Sequence, residues 1–108
     1  MNGQIPASIA AYFAAKNRRD IDAMLTPFAA AALVRDEGGE HRGHAAIRSW
    51  MEATTRKYHV TVEPQEVEER DGRTVVVGLV SGNFPGSPVR LRYGFILSPD
   101  GISRLEIA

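Results

Sequence analysis

Residues 19–50 read RDIDAMLTPFAAAALVRDEGGEHRGHAAIRSW, and this stretch decides the fold. Asp20 is placed to cap a short helix whose inward residues are Ile21, Met24, Leu25 and Phe28, because its carboxylate can accept from the free N–H groups of a first turn. Pro27 ends or tightens that helix, since it cannot donate the next backbone hydrogen bond. Past the Ala29 to Ala32 run, Leu33-Val34-Arg35-Asp36 predicts a short strand, and Glu37-Gly38-Gly39-Glu40 a turn into a brief partner carrying His41. Gly43 and His44 then lead into a third helix, in which Ile47, Trp50, Met51 and Thr54 share one face at spacings of three, one and three.

Upstream of this stretch, Ile5, Ile9, Tyr12 and Phe13 recur at intervals of four, three and one, which predicts a helix from about residue 4 to 17. Pro6 suits its first turn, and the polar run Lys16-Asn17-Arg18-Arg19 breaks its apolar pattern. Downstream, the period becomes extended: Val60 and Val62 alternate with polar residues, Asp71-Gly72 is a turn, and strands follow over Thr74 to Phe84, Val89 to Leu97 and Ile102 to Ile107. Three helices with a hairpin inside them, then four consecutive strands joined by short turns, make an α+β architecture with an antiparallel sheet. No repeat or linker interrupts it, so residues 1–108 read as a single domain.

Composition narrows the function. With 108 residues, 13 Lys+Arg against 13 Asp+Glu and 44% hydrophobic residues, the chain can bury a core of its own without metal or disulfide staples. The absence of cysteine excludes thiol catalysis and thiolate metal sites. A net charge of zero argues against nucleic acid as a partner, because duplex binding needs excess Lys and Arg on one face. Met1 to Pro6 is polar and no apolar run approaches bilayer length, so a cytoplasmic protein without a membrane partner is expected. No nucleophile-elbow serine, phosphate-binding loop or dinucleotide glycine fingerprint occurs, and no histidine pair has metal-ligand spacing. Neither a metal nor another cofactor is expected.

The segment Tyr12 to Trp50 resembles the nuclear transport factor 2-like superfamily, and within it the SnoaL-like and ketosteroid-isomerase-like proteins. The resemblance is carried by Tyr12, Arg19-Asp20-Ile21-Asp22-Ala23-Met24-Leu25, Phe28-Ala29, Ala32-Leu33-Val34-Arg35-Asp36 and Gly43-His44-Ala45-Ala46-Ile47-Arg48-Ser49-Trp50. The four-strand tail extends it over nearly the whole chain. It implies three helices packed on a strongly curved antiparallel sheet, a cone-shaped α+β barrel with an apolar pocket at its open end, and a homodimer paired through the sheets. Because the superfamily includes isomerases, cyclases, dehydratases, hydrolases and non-catalytic binding domains, the resemblance speaks for fold more than for reaction.

Matched residue by residue to the ketosteroid-isomerase-like members, Tyr12 falls on the tyrosine that donates to a substrate carbonyl and Asp36 on the aspartate that moves the proton. Tyr93 falls where those enzymes carry a protonated acid, a departure that a phenol can bridge because it too donates to an oxyanion. The periodicity places the three independently. Tyr12 shares the helical face of Ile5 and Ile9, Asp36 is in step with Val34, and Tyr93 is in step with Val89, Leu91, Phe95 and Leu97. Each residue also has a structural reading: Tyr12 as core, Asp36 as a turn residue before Glu37-Gly38-Gly39, Tyr93 as a strand aromatic. Phe28, Trp50 and Met51 read as pocket wall or core. His41 reads either as an acid/base partner of Asp36 across the hairpin or as a surface residue between Glu40 and Arg42. Asn83 and Ser81, in step with Val75, Val77 and Leu79, are candidates for the pocket mouth. The reading that results is a pocket for a hydrophobic, carbonyl-bearing small molecule, with cofactor-free proton transfer of the isomerase or cyclase type. Its alternative is a non-catalytic ligand-binding or dimerisation module.

Overall fold

The structure is a computed structural model describing residues 5–108. The helices are α1 (Ala7–Arg18), α2 (Ile21–Leu25) and α3 (Gly43–Tyr58); the strands are β1 (Phe28–Asp36), β2 (Gly39–Arg42), β3 (Thr61–Arg70), β4 (Arg73–Ser81), β5 (Val89–Ser98) and β6 (Gly101–Ile107). Position 4, where the sequence starts the first helix, lies outside the described residues. The six strands form one sheet in the order β2-β1-β6-β5-β4-β3. Four of the five pairings are antiparallel, while β1 runs parallel to β6. The expected α+β cone is therefore present as an open, mixed sheet with the three helices against it.

Local chemistry explains most of the boundaries. Ile9, Tyr12, Phe13 and Lys16 are the buried side of α1, and Arg19 stops it in the left-handed conformation with its N–H donating to the carbonyls of Ala15 and Lys16. The Asp20 carboxylate accepts from the Ala23 N–H at 3.2 Å, which fixes the start of α2. Asn17 ties α1 to β3 by donating to the Val62 carbonyl and accepting from the Val62 N–H, both at 2.8 Å. Asp71 and Gly72 both adopt positive φ, as a two-residue hairpin turn with the twist of its strands requires.

The strands depart from expectation in three places. Phe28, placed by the sequence on the second helix, opens β1, and the alanine run after it is strand rather than connector. Alanine has little strand preference of its own; the pairings with β6 on either side of the run, Phe28↔Ile102 and Leu33↔Arg104, hold it in the strand across a register shift. In β4 the buried side is Thr74, Val76, Gly78 and Val80, whereas Val75, Val77 and Leu79 are half-buried on the opposite face. A valine run has no alternation to reveal its phase, and pairing with β3 and β5 decides it. In β5, Tyr93 and Phe95 point inward, but Leu97 is 38% exposed because the register against β6 shifts between Ile96 and Leu97.

The core lies between α1, α3 and the inner face of the sheet. Tyr12 meets Phe28 edge-on at 5.5 Å and Phe95 at 6.0 Å, and Phe13 meets Tyr93 edge-on at 5.1 Å. Aromatic rings prefer this arrangement because a positive ring edge faces a negative ring face. Gly78 leaves the space this cluster needs: a Cβ there would come within 2.7 Å of Val62 Cγ1 and 3.4 Å of Tyr93 Cε1.

Candidate functional site

A cavity of about 280 Å³ opens between α1, α3 and the inner face of the sheet. Its walls are mainly apolar, with Val80, Val89, Leu91 and Phe84 prominent, and its polar groups are few: Lys16, Asp36, Glu37, Thr54, Tyr58, Tyr93 and the Trp50 indole. Apolar enclosure with a small number of polar tips is the usual composition of a small-molecule site.

Asp36 ends β1, where the strand runs out beside α3. The Trp50 indole N–H donates to Asp36 Oδ2 at 3.1 Å, so the carboxylate is aimed rather than loose. Burial raises its pKa above the ordinary carboxylate range, and neighbouring Glu37 pushes the same way; the Trp50 hydrogen bond and the Lys16 charge oppose this. Tyr93, on β5, which β6 separates from β1 in the same sheet, lines the same cavity, and burial followed by the Asp36 charge raises its phenol well above the ordinary value.

Lys16 is the residue the sequence reading passed over. Counted with the polar run that ends α1, it lies instead three residues after Phe13 and four after Tyr12, and so shares their buried face. It is 6% exposed, lines the cavity, and has its ammonium 5.9 Å from the centre of the Tyr12 ring. Burial lowers its pKa to about 8, against the pull of Asp36 in the other direction. The signal that could have found it was the same three-and-four spacing that located Tyr12.

The other expected residues divide. Tyr12 is fully buried and is not part of the cavity wall; its hydroxyl has no hydrogen-bond partner, and burial, then Tyr93, then Asp36 raise its pKa. Trp50 lines the cavity. Phe28 and Met51 are buried in the core and do not line the cavity; the Phe28 ring packs edge-on against Tyr12 of α1. His41 pairs with Val34 in the hairpin register, not with Asp36, and its ring stacks on Trp50 at 5.9 Å. It lines an adjoining cleft that shares Asp36, Glu37, Trp50, Thr54 and Tyr58 with the main cavity. Ser81, on the outward phase of β4, and Asn83, in the connection after it, are both exposed and do not line the cavity; Phe84 does. Among the described residues no group of three or more His, Asp or Glu side chains is arranged to hold a metal ion, and no helix is long and apolar enough to cross a membrane.

Residues 9–101 match the family model of the SnoaL-like domain. Among solved structures, a proposed polyketide cyclase from Sinorhizobium meliloti superposes with a TM-score of 0.92 at 39% identity, over 96% of this chain and 95% of that one. A Catenulispora acidiphila protein with a ketosteroid isomerase-like fold, in complex with trimethylamine, aligns at 19% identity and TM-score 0.83 over 97% of this chain and 86% of its own. The epoxide hydrolase/cyclase-like enzyme SalBIII, of pyran ring formation in the polyether salinomycin, aligns at 22% identity and TM-score 0.79 over 93% and 85%. At these lower identities the likeness is one of fold alone. No curated protein sequence matches the chain.

Proposed function

This chain belongs to the SnoaL-like domain family, and on that premise we propose that its cavity binds a hydrophobic, carbonyl-bearing small molecule and moves a proton on it without a cofactor, in the manner of an isomerase or cyclase. The observation that carries this reading is Asp36: a carboxylate held by Trp50 at the wall of an apolar cavity, with its pKa raised by burial. A desolvated carboxylate is a stronger base than one in water, so abstraction of a proton next to a carbonyl meets a smaller uphill step. The electron pair left behind moves onto the carbonyl oxygen. Tyr93 can donate a hydrogen bond to that oxyanion, and the Lys16 charge in the same enclosure favours it; both groups act in a medium that screens charge poorly. Return of the proton from Asp36 to a different carbon completes an isomerisation, and attack of the enolate on a second carbonyl of the same molecule completes a cyclisation. Likeness to the proposed polyketide cyclase, at 39% identity, supports the carbonyl chemistry.

Passive ligand binding is the second reading, and Tyr12 favours it, since its sealed hydroxyl leaves one of three family positions out of reach of a ligand. The protein is further proposed to be a cytoplasmic homodimer paired through the outer sheet face, where Val75 and Val77 are half-buried among charged side chains of both signs, Glu66, Arg73, Arg92 and Glu106. Exchange of deuterium into the α-position of a panel of hydrophobic ketones, followed by NMR, separates the readings. Wild-type protein is expected to accelerate exchange, and Asp36→Asn to lower the rate by about 10²- to 10⁴-fold with the fold retained. Equal exchange in the two proteins removes Asp36 from the role of base.

A further inference from the structure

We propose that Lys16 forms a reversible imine with the aldehyde or ketone group of a hydrophobic ligand held in the cavity. This deepens the carbonyl-pocket reading and rests on it. Lys16 and Lys57 are the only lysines in the sequence; every other permanent side-chain cation is an arginine. Lys57 is exposed at the end of α3, whereas Lys16 lies inside, at the cavity wall. Among the described residues no hydrogen bond or ion pair holds the Lys16 ammonium; its neighbours are the Tyr12 ring, and the Asp36 charge acts on it from a distance.

Burying an ammonium without a close partner is costly, so the side chain gives up its proton more readily than a lysine in water. A lysine can do this and an arginine cannot, which makes lysine in this one interior position chemically distinct from the arginines outside. Five titratable groups surround it: Tyr12 on its own helix, Asp36 at the end of β1, Glu37 in the turn after it, Tyr58 at the end of α3, and Tyr93 from β5. Burial releases the proton and the Asp36 charge retains it, and burial prevails, leaving a pKa of about 8. The neutral amine is then on the order of a hundred times more abundant at pH 7 than for a lysine in water.

The step needs nothing beyond the two reactants. On addition, the nitrogen lone pair forms the C–N bond, the carbonyl π pair moves to oxygen, and one nitrogen proton passes through Asp36 to that oxygen. On dehydration the C–O bond breaks with its electrons leaving on oxygen. The second nitrogen proton follows through the same carboxyl to complete a water molecule, and the nitrogen lone pair closes the C=N bond. Amine and carbonyl become imine and water, with no oxidant or reductant consumed. An imine draws electrons from the adjacent carbon more strongly once protonated than a carbonyl does, so the same Asp36 can remove the proton there.

The test uses the full chain with benzaldehyde and sodium cyanoborohydride at pH 7, followed by peptide mapping of the benzylated amines. Lys16 is expected to be modified ~10-fold faster than Lys57, the higher fraction of neutral amine being partly offset by its lower basicity and its enclosure. Lys16→Arg, which keeps a cation and removes the nucleophile, should abolish that product. Modification of Lys57 with Lys16 untouched overturns the proposal, and because this comparison is internal to the wild type it stands even if the variant fails to fold. Fluorescence of Trp50, the single tryptophan, follows occupancy of the cavity by acetophenone and benzyl alcohol. Saturable quenching with no Lys16 adduct breaks the imine alone; no quenching by aldehyde, ketone or alcohol breaks the pocket reading, and the imine with it.

Discussion

On the outer face of the sheet Arg35 lies 3.3 Å from Glu40 and 3.5 Å from Glu106, and Glu106 also meets Arg73 and Arg104 at 3.6 and 3.2 Å. On the inner face, Lys16 and Asp36 share a cavity without forming an ion pair, and both titrate away from their ordinary values. The same strand, β1, supplies Arg35 to one side and Asp36 to the other. Outside, opposite charges close to contact distance and water screens what is left, so the network is worth little and carries no chemistry. Inside, charges are kept apart in an apolar medium, so each stays reactive. Separation and dryness, more than residue type, distinguish the face that can work from the face that only holds.

The largest effect expected to sharpen this contrast is the loss of proton exchange in Asp36→Asn, set beside unchanged exchange in Glu40→Gln on the outer face. Next is packing: Phe95 is fully buried amid Tyr12, Phe13 and Tyr93, so Phe95→Ala should lower unfolding free energy by about 3–5 kcal/mol in urea titration. A loss below ~1 kcal/mol there would mean that the aromatic cluster does not hold the inner face together.

A pH scan should then separate the two inner charges by sign. Lys16 titrates at about 8 in the folded chain against 10.5 unfolded, so between these values the unfolded state binds more protons and stability rises with pH. The rise is at most about 3 kcal/mol. It should reverse above pH 10.0, where the unfolded phenols ionise while buried Tyr12 and Tyr93 hold their protons. Lys16→Met should flatten the alkaline rise; an unaltered profile would place the lysine in water. Asp36 acts oppositely: its raised pKa contributes stability that is present below 3.8 and is lost as pH climbs through the folded value. The smallest effect is outside. Glu106→Gln should cost under ~1 kcal/mol and less still in high salt, measured by the same titrations.

Much of the inner face was legible in the sequence. The Asp20 cap, the Glu37-Gly38-Gly39 turn, the α3 stripe of Ile47, Trp50 and Met51, and the inward setting of Tyr12 and Tyr93 all follow from local chemistry and spacing. What escaped is what long-range pairing decides. Nothing local in Ala29 to Ala32 specifies a strand, nothing in an unbroken valine run fixes the phase of β4, and nothing around Leu97 announces a register shift. Lys16 escaped for another reason: it was counted with the polar run that breaks the apolar pattern of α1, although its spacing from Tyr12 and Phe13 sets it on their face. A buried charge violates the rule that usually makes sequences readable, and such violations gather where function is.

The parallel pairing of β1 with β6 has a consequence for synthesis. In the sheet order, the hairpin of β1 and β2 joins the β3–β6 meander only through β6. Asp36 is translated in the first third of the chain, yet its strand has no place in the sheet until residues 101–107 have been made. Contacts that span so much of a chain form late, because the intervening loop must first be closed. A ribosome-bound fragment stopping short of β6 would carry Lys16, Asp36, Trp50 and Tyr93 without a shared cavity. The site is thus complete only once β6 has paired with β1, the last strand of the sheet serving as the latch on the first.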